Sequence, residues 1–278
     1  MLVNLNDVLL PARKEKYGVG LFNTVNLEMA RGVLAAAEAV GTPVIIGTAE
    51  VLLTYGPLEE LSYLLIPMAK KAKVPVVVHY DHGLSYDKCV EALRLGFSSI
   101  MYDCSTDTYD ENVRKVADMT ALAHSCGATV EAELGHVGDN EGSGALRDPR
   151  AYYTDPMQAK DFVEKTKVDA LAIAVGSAHG AYKLPPKLDF ERIRTIRDTI
   201  DVPLVLHGGS GLSNEDFRLA IENGISKINI FTDINVAQAE AVRRAFADGM
   251  GAMTDIIPYE VRAVQQAAEK KMRLFYGR

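Results

Sequence analysis

At 278 residues, with 48% hydrophobic and 24% charged side chains, the chain can bury a sizeable core, and one (β/α)8 barrel over residues 1–278 uses that length without a second domain. No stretch approaches the ~20 uncharged apolar residues of a membrane helix. A net charge of −7 argues against nucleic acid, whose phosphates need a basic stripe, but not against a phosphorylated metabolite held by backbone N–H groups.

The N-terminal segment carries its acidic residue early and its lysines after the apolar run. That is not the layout of a signal peptide, and a cytoplasmic location is expected. Cys89, Cys104 and Cys126 are odd in number and lack C-x-x-C spacing, so reduced thiols are expected.

From one end to the other, short β-rich runs alternate with longer stretches of helical period, the pattern of repeated βα units around a parallel sheet. The runs are 17–22, 43–48, 75–79, 97–102, 128–133, 169–175, 203–207 and 225–230. Amphipathic helices are predicted between them, among them 26–39, 110–125 and 235–249. Ser213, with an acidic residue at the third helical position, reads as a capping box, and Gly224 as that helix's stop. Segment 134–154 is long, polar and without period, the character of a lid. A doubly wound sheet would give a similar alternation. Regular spacing and reactive strand ends favour the barrel.

In barrels the active site forms at the C-terminal ends of the strands. Here the first run ends at Asn23, the third at His79-Tyr80-Asp81-His82, the fourth at Asp103 and Ser105, and the fifth at Glu133 and His136. The sixth leads to His179, the seventh to His207-Gly208-Gly209-Ser210, and the last to Asn229, Thr232 and Asp233. Only His124, of six histidines, falls inside a helix.

Converging imidazoles suit zinc or a similar borderline cation, and three of them plus an open position make a catalytic site. On an extended segment His79 and Asp81 share a face while His82 points the other way, so spacing alone leaves the ligand choice open. Gly208–Gly211 between a strand and a helix suits a phosphate. Lys227, inside the last strand, could form a Schiff base in a metal-free aldolase, but that chemistry would leave the histidines without a role.

The ordered motifs HYDHG at 79–83, MYDCS at 101–105, EAELGHVG at 131–138, GSAHG at 176–180, LVLHGGSG at 204–211 and KINIFTD at 227–233 resemble the class II, metal-dependent fructose- and tagatose-bisphosphate aldolases. The resemblance implies a zinc ion on His82, His179 and His207, with Glu133 as an alternative ligand, and Asp81 as the acid/base for the C4 hydroxyl of a ketose phosphate. Gly180, Gly209, Ser210, Asn229 and Thr232 match positions around the dihydroxyacetone phosphate half, with Asn23 beside them, and Na+ or K+ often supports that phosphate. Glu141 aligns with an acid that assists enolisation. A homodimer or homotetramer is implied as well.

Three positions depart from the pattern. Ala49 stands where bisphosphate aldolases often have serine, Ala181 where many have lysine, and Pro258, at the start of a predicted helix 258–275, near the place of an arginine for the distal phosphate. Arg262, a turn further on, could substitute for it. The reading is therefore a carbon–carbon lyase forming dihydroxyacetone phosphate and an aldehyde through a zinc-stabilised enediolate. The alternatives are a metal-dependent sugar-phosphate isomerase or epimerase, and a non-catalytic sugar-phosphate-binding barrel.

Overall fold

In the computed structural model, which describes residues 1–135, 137, 152–178 and 187–277, nine strands form one sheet. They are β1 (Leu2–Val3), β2 (Val19–Asn23), β3 (Val44–Ala49), β4 (Val76–Gly83), β5 (Ser99–Tyr102), β6 (Thr129–Leu134), β7 (Ala170–Ile173), β8 (Leu204–Leu206) and β9 (Ile225–Ile230). From β2 to β9 each strand pairs in parallel with the next, and β9 pairs back to β2. The eight runs read from the sequence are thus the eight staves of a closed (β/α)8 barrel. β1 is additional: two residues laid beside Val76 and Val77 at the start of β4.

The helices are α1 (Leu5–Glu15), α2 (Leu27–Val40), α3 (Leu58–Lys71), α4 (Tyr86–Leu95), α5 (Tyr109–Ser125), α6 (Pro156–Thr166), α7 (Phe190–Thr199), α8 (Asn214–Asn223), α9 (Thr232–Ala247) and α10 (Met253–Tyr276). Ser213 and Asp216 form the capping box of α8, and Gly224 follows its last residue. The C-terminal helix begins five residues before the predicted 258. Pro258 lies early in α10, exposed in its second turn, where its missing N–H forfeits a single intrahelical bond.

What the sequence reading did not anticipate is α1. Its buried Leu5, Val8, Leu9 and Ala12 recur at helical spacing and pack against Val19, Leu21, Ile45, Val77, Ala170, Ala172 and Val205 from inside the barrel. The helix closes the N-terminal end with an apolar floor. Above it, period-two alternation turns polar residues inward: His79 and Asp81 on β4, Glu131 and Glu133 on β6, Lys227 and Asn229 on β9.

Gly47 on β3 is paired with His79 on β4. A Cβ there would run into the His79 carbonyl oxygen, a backbone atom that cannot rotate away. Gly47→Ala is expected to destabilise the fold by about 1–3 kcal/mol, seen as a lower urea midpoint with an unchanged denaturant slope.

Candidate active site at the C-terminal rim

The carboxyl ends of the strands surround a cavity of about 620 Å³, a volume suited to a small metabolite. Asn23, Asp81, His82 and Glu133 line its inner part, and Gly209, Ser210, Asn229 and Thr232 line one side. His207 is fully buried just beside them, its ring centroid 4.5 Å from that of His82. Ala49, Val51, Leu52 and Leu84 line the side formed after β3 and β4. Arg262 is exposed on α10 and is not among the residues lining this cavity. His136, Glu141, His179, Gly180, Ala181 and most of segment 134–154 lie outside the described residues.

Strict alternation would turn His82 away from Asp81. Two local features bring both to the cavity. The β4–β5 register shifts between Tyr80 and Gly83, and His82 adopts a left-handed backbone with φ of 44°, a conformation held only where the surroundings enforce it. One enforcing group is Glu50, in the short helical turn Glu50–Leu52 after β3. Its Oε2 accepts hydrogen bonds from the Tyr80 hydroxyl at 2.8 Å and from the Leu84 backbone N–H at 2.7 Å, which fastens the turn on either side of His82.

Asp81 is held as an acceptor. Asn23 Nδ2 donates to its Oδ2 at 2.8 Å, and Asn229 Nδ2 donates to both oxygens at 3.1 Å. Burial alone would raise its carboxyl. His82, His79, Lys227 and His207 outweigh burial and hold it well below the usual carboxylate range, so it is ionised at neutral pH. His79 instead bonds Ser99 Oγ at 2.8 Å. Burial and Lys227 keep its imidazole below its ordinary pKa.

Among the described residues, the two rim histidines His82 and His207 are each oriented by a carboxylate. His82 Nδ1 meets Asp103 Oδ2 at 2.8 Å, and His207 Nε2 meets Glu131 Oε1 at 2.9 Å. Carboxylates behind imidazoles in this way are the usual support of metal-ligating histidines. Asp81, His82 and His207 bring donor atoms within 4.8 Å of one another, and so do His82, Asp103 and Glu133. Because Lys227 is matched to Glu131 at 2.8 Å, the rim carboxylates Asp81, Asp103 and Glu133 leave an excess of negative charge that a divalent cation would offset. The donor set fits such an ion. Without one, burial disfavours the His207 imidazolium, but the hydrogen bonds it donates to Glu131 and Glu133 prevail and raise its pKa to about 10.

Three participants take parts that the sequence did not assign: Asp103, named only as a strand end, Glu131, not singled out, and Lys227, weighed only as a Schiff-base lysine. The first was visible at a strand end. The other two stand two residues before Glu133 and Asn229, the spacing that keeps one face of a strand. Lys227 is 0% exposed, and its ammonium bonds Glu131 and Asn229. It is an ion-paired core residue, not a free amine.

Residues 3–277 match the family model described as fructose-bisphosphate aldolase class-II. The chain belongs to that family. Metal-dependent aldol chemistry follows from membership, and the enzyme class is a lyase. Among relatives, the protein YdjI of Escherichia coli K12 is 41% identical over 95% of this chain and 94% of its own length. A fructose-bisphosphate aldolase of Geobacillus stearothermophilus is also 41% identical, over 88% of this chain and 86% of that one. The crystal structure of the E. coli YdjI aldolase superposes with a TM-score of 0.89 at 37% identity, covering 99% of this chain and 97% of that one.

The buried Glu131 gives a pH expectation for the metal-free protein. Burial would raise its carboxyl, but Lys227 and His207 prevail and lower it to about 2. A folded-state value below the unfolded one means that its stabilisation is complete above the ordinary carboxylate range, near pH 4.5, and is lost as pH falls from there towards 2. Acid unfolding followed by circular dichroism should steepen in that window, and Glu131→Gln should flatten it while lowering stability at pH 7.

Proposed function

We propose that this aldolase family member reversibly cleaves a ketose phosphate to dihydroxyacetone phosphate and an aldehyde, with zinc as its cation. The observation that carries the reading is Asp81. It is an ionised carboxylate held by two amide donors beside two carboxylate-backed histidines, in a cavity of substrate size. His82 and His207, with His179 from the family resemblance, would hold the ion, and Glu133 is the alternative donor. When bound, the cation supplies the electrophile that the negative charge developing on the ketose oxygens requires.

Asp81 takes the proton of the C4 hydroxyl. The electrons of that O–H bond become the second bond of the aldehyde carbonyl, the C3–C4 bond breaks, and its electron pair passes through C3 to the C2 oxygen. In condensation Asp81 returns the proton to the new hydroxyl. Asn23 and Asn229, which donate to its oxygens, hold the carboxylate in place for this transfer.

For the phosphate, Gly208, Gly209 and Ser210 offer a turn that closely approaching backbone can line. The first turn of α9 begins at Thr232 on the same side, and Phe231 gives it no side-chain cap. Uncapped N–H groups at a helix start attract an anion. Glu141 for enolisation, Gly180 at the phosphate, a Na+ or K+ beside it, segment 134–154 as a lid and a homo-oligomeric assembly complete the proposal on the strength of the resemblance.

Three outcomes are expected. Chelation abolishes cleavage and zinc restores it, whereas activity indifferent to chelators and lost on borohydride treatment would overturn the reading. Asp81→Ala lowers kcat by about 10²-fold or more with metal content unchanged. Dihydroxyacetone phosphate, offered a panel of aldehydes, condenses with at least one that lacks a phosphate, because Ala49, Val51, Leu52 and Leu84 face that half of the cavity. Deuterium uptake from solvent without carbon–carbon bond making would favour an isomerase instead.

A further inference from the structure

Apart from the charge by which it helps keep Asp81 ionised, Lys227 has no part in this chemistry, although a fully buried ammonium in a barrel interior is kept only for a reason. Its contacts suggest one. Lys227 Nζ donates to Asn229 Oδ1 at 2.8 Å and lies 2.8 Å from Glu131 Oε2. The Asn229 amide donates from its other end to both oxygens of Asp81, and the other oxygen of Glu131 meets His207 Nε2. An ammonium has only donors and a carboxylate only acceptors, so a single orientation of the amide satisfies both neighbours.

We infer that Lys227 is a positioning residue: by holding the carbonyl end of Asn229 it fixes the amide that aims Asp81 at its proton, and through Glu131 it ties that amide to the support of His207. The inference rests on the aldolase reading for the task of Asp81. Its geometry is independent of it. Without the ammonium, Asn229 Oδ1 becomes a buried acceptor with no donor, and the amide gains freedom to shift or turn against the carboxylate. Small misplacements of a reacting group lower the chemical step steeply while leaving binding of the rest of the substrate intact.

The test uses the zinc-loaded enzyme with Lys227→Met and the charge-balanced Glu131→Gln/Lys227→Met, the latter retaining a neutral core if the single variant does not fold. In a folded variant with unchanged metal content, kcat should fall about ten- to a hundredfold while KM for the ketose phosphate stays within about twofold. If Lys227 acts through Asn229, adding Asn229→Ala to the folded Lys227 variant should cost little further, because the two losses share one route. Losses that simply multiply, or a folded variant with unimpaired kcat, would overturn the inference. So would a borohydride-trapped adduct on Lys227. Should the wild-type enzyme cleave no ketose phosphate, the aldolase reading fails, and a crystal structure of the variant decides the inference alone. A displaced Asn229 amide supports it, and an amide still bonded to both oxygens of Asp81 refutes it.

Discussion

A closed parallel barrel leaves no room for an unmatched charge in its interior, and this constraint orders everything above the floor. Lys227 and Glu131 are both fully buried, and breaking such a pair leaves a charge that nothing nearby can solvate. Each therefore binds outward as well as to the other, Lys227 to Asn229 and Glu131 to His207. The next layer inherits its geometry from those bonds. Asp81 is held by the amide that Lys227 holds, and His207 by the carboxylate that Lys227 neutralises.

The overall negative charge does not oppose a phosphorylated substrate, because the two halves of the cavity work by different means. One half concentrates carboxylates and imidazoles, which suit a cation. The other offers the Gly208–Ser210 turn and the uncapped start of α9, which suit an anion through backbone dipoles alone. A substrate carrying a phosphate at one end and polarisable oxygens in the middle matches that division.

The barrel was legible because buried parallel strands announce themselves as apolar runs, and all eight are seen at or within a few residues of where they were read. β1 was not, since two residues carry no period. α1 was passed over with its Pro11 in mid-helix, though Leu5, Val8, Leu9 and Ala12 already spelled a helical stripe. At the site, Asn23, Asp81, His82, Glu133, Gly209, Ser210, Asn229 and Thr232 converge as expected. The choice between His79 and His82 was not readable from spacing, because it depends on a register shift and one left-handed residue that break the alternation the reading relied on. Arg262 faces solvent on α10, and helical spacing from Pro258 could not show which way it points.

The apolar floor laid by α1 also bears on where a hydrogen ion can go. Beneath Asp81 the interior passes from His79 and Lys227 to Leu21, Val77 and Val205, which Leu5 and Leu9 cover, so that among the described residues apolar side chains close that end. Among the described residues, Asp81 therefore meets a path to water at the rim cavity and not at the floor. Whatever fills that cavity therefore also governs how readily the buried carboxylate exchanges protons with water.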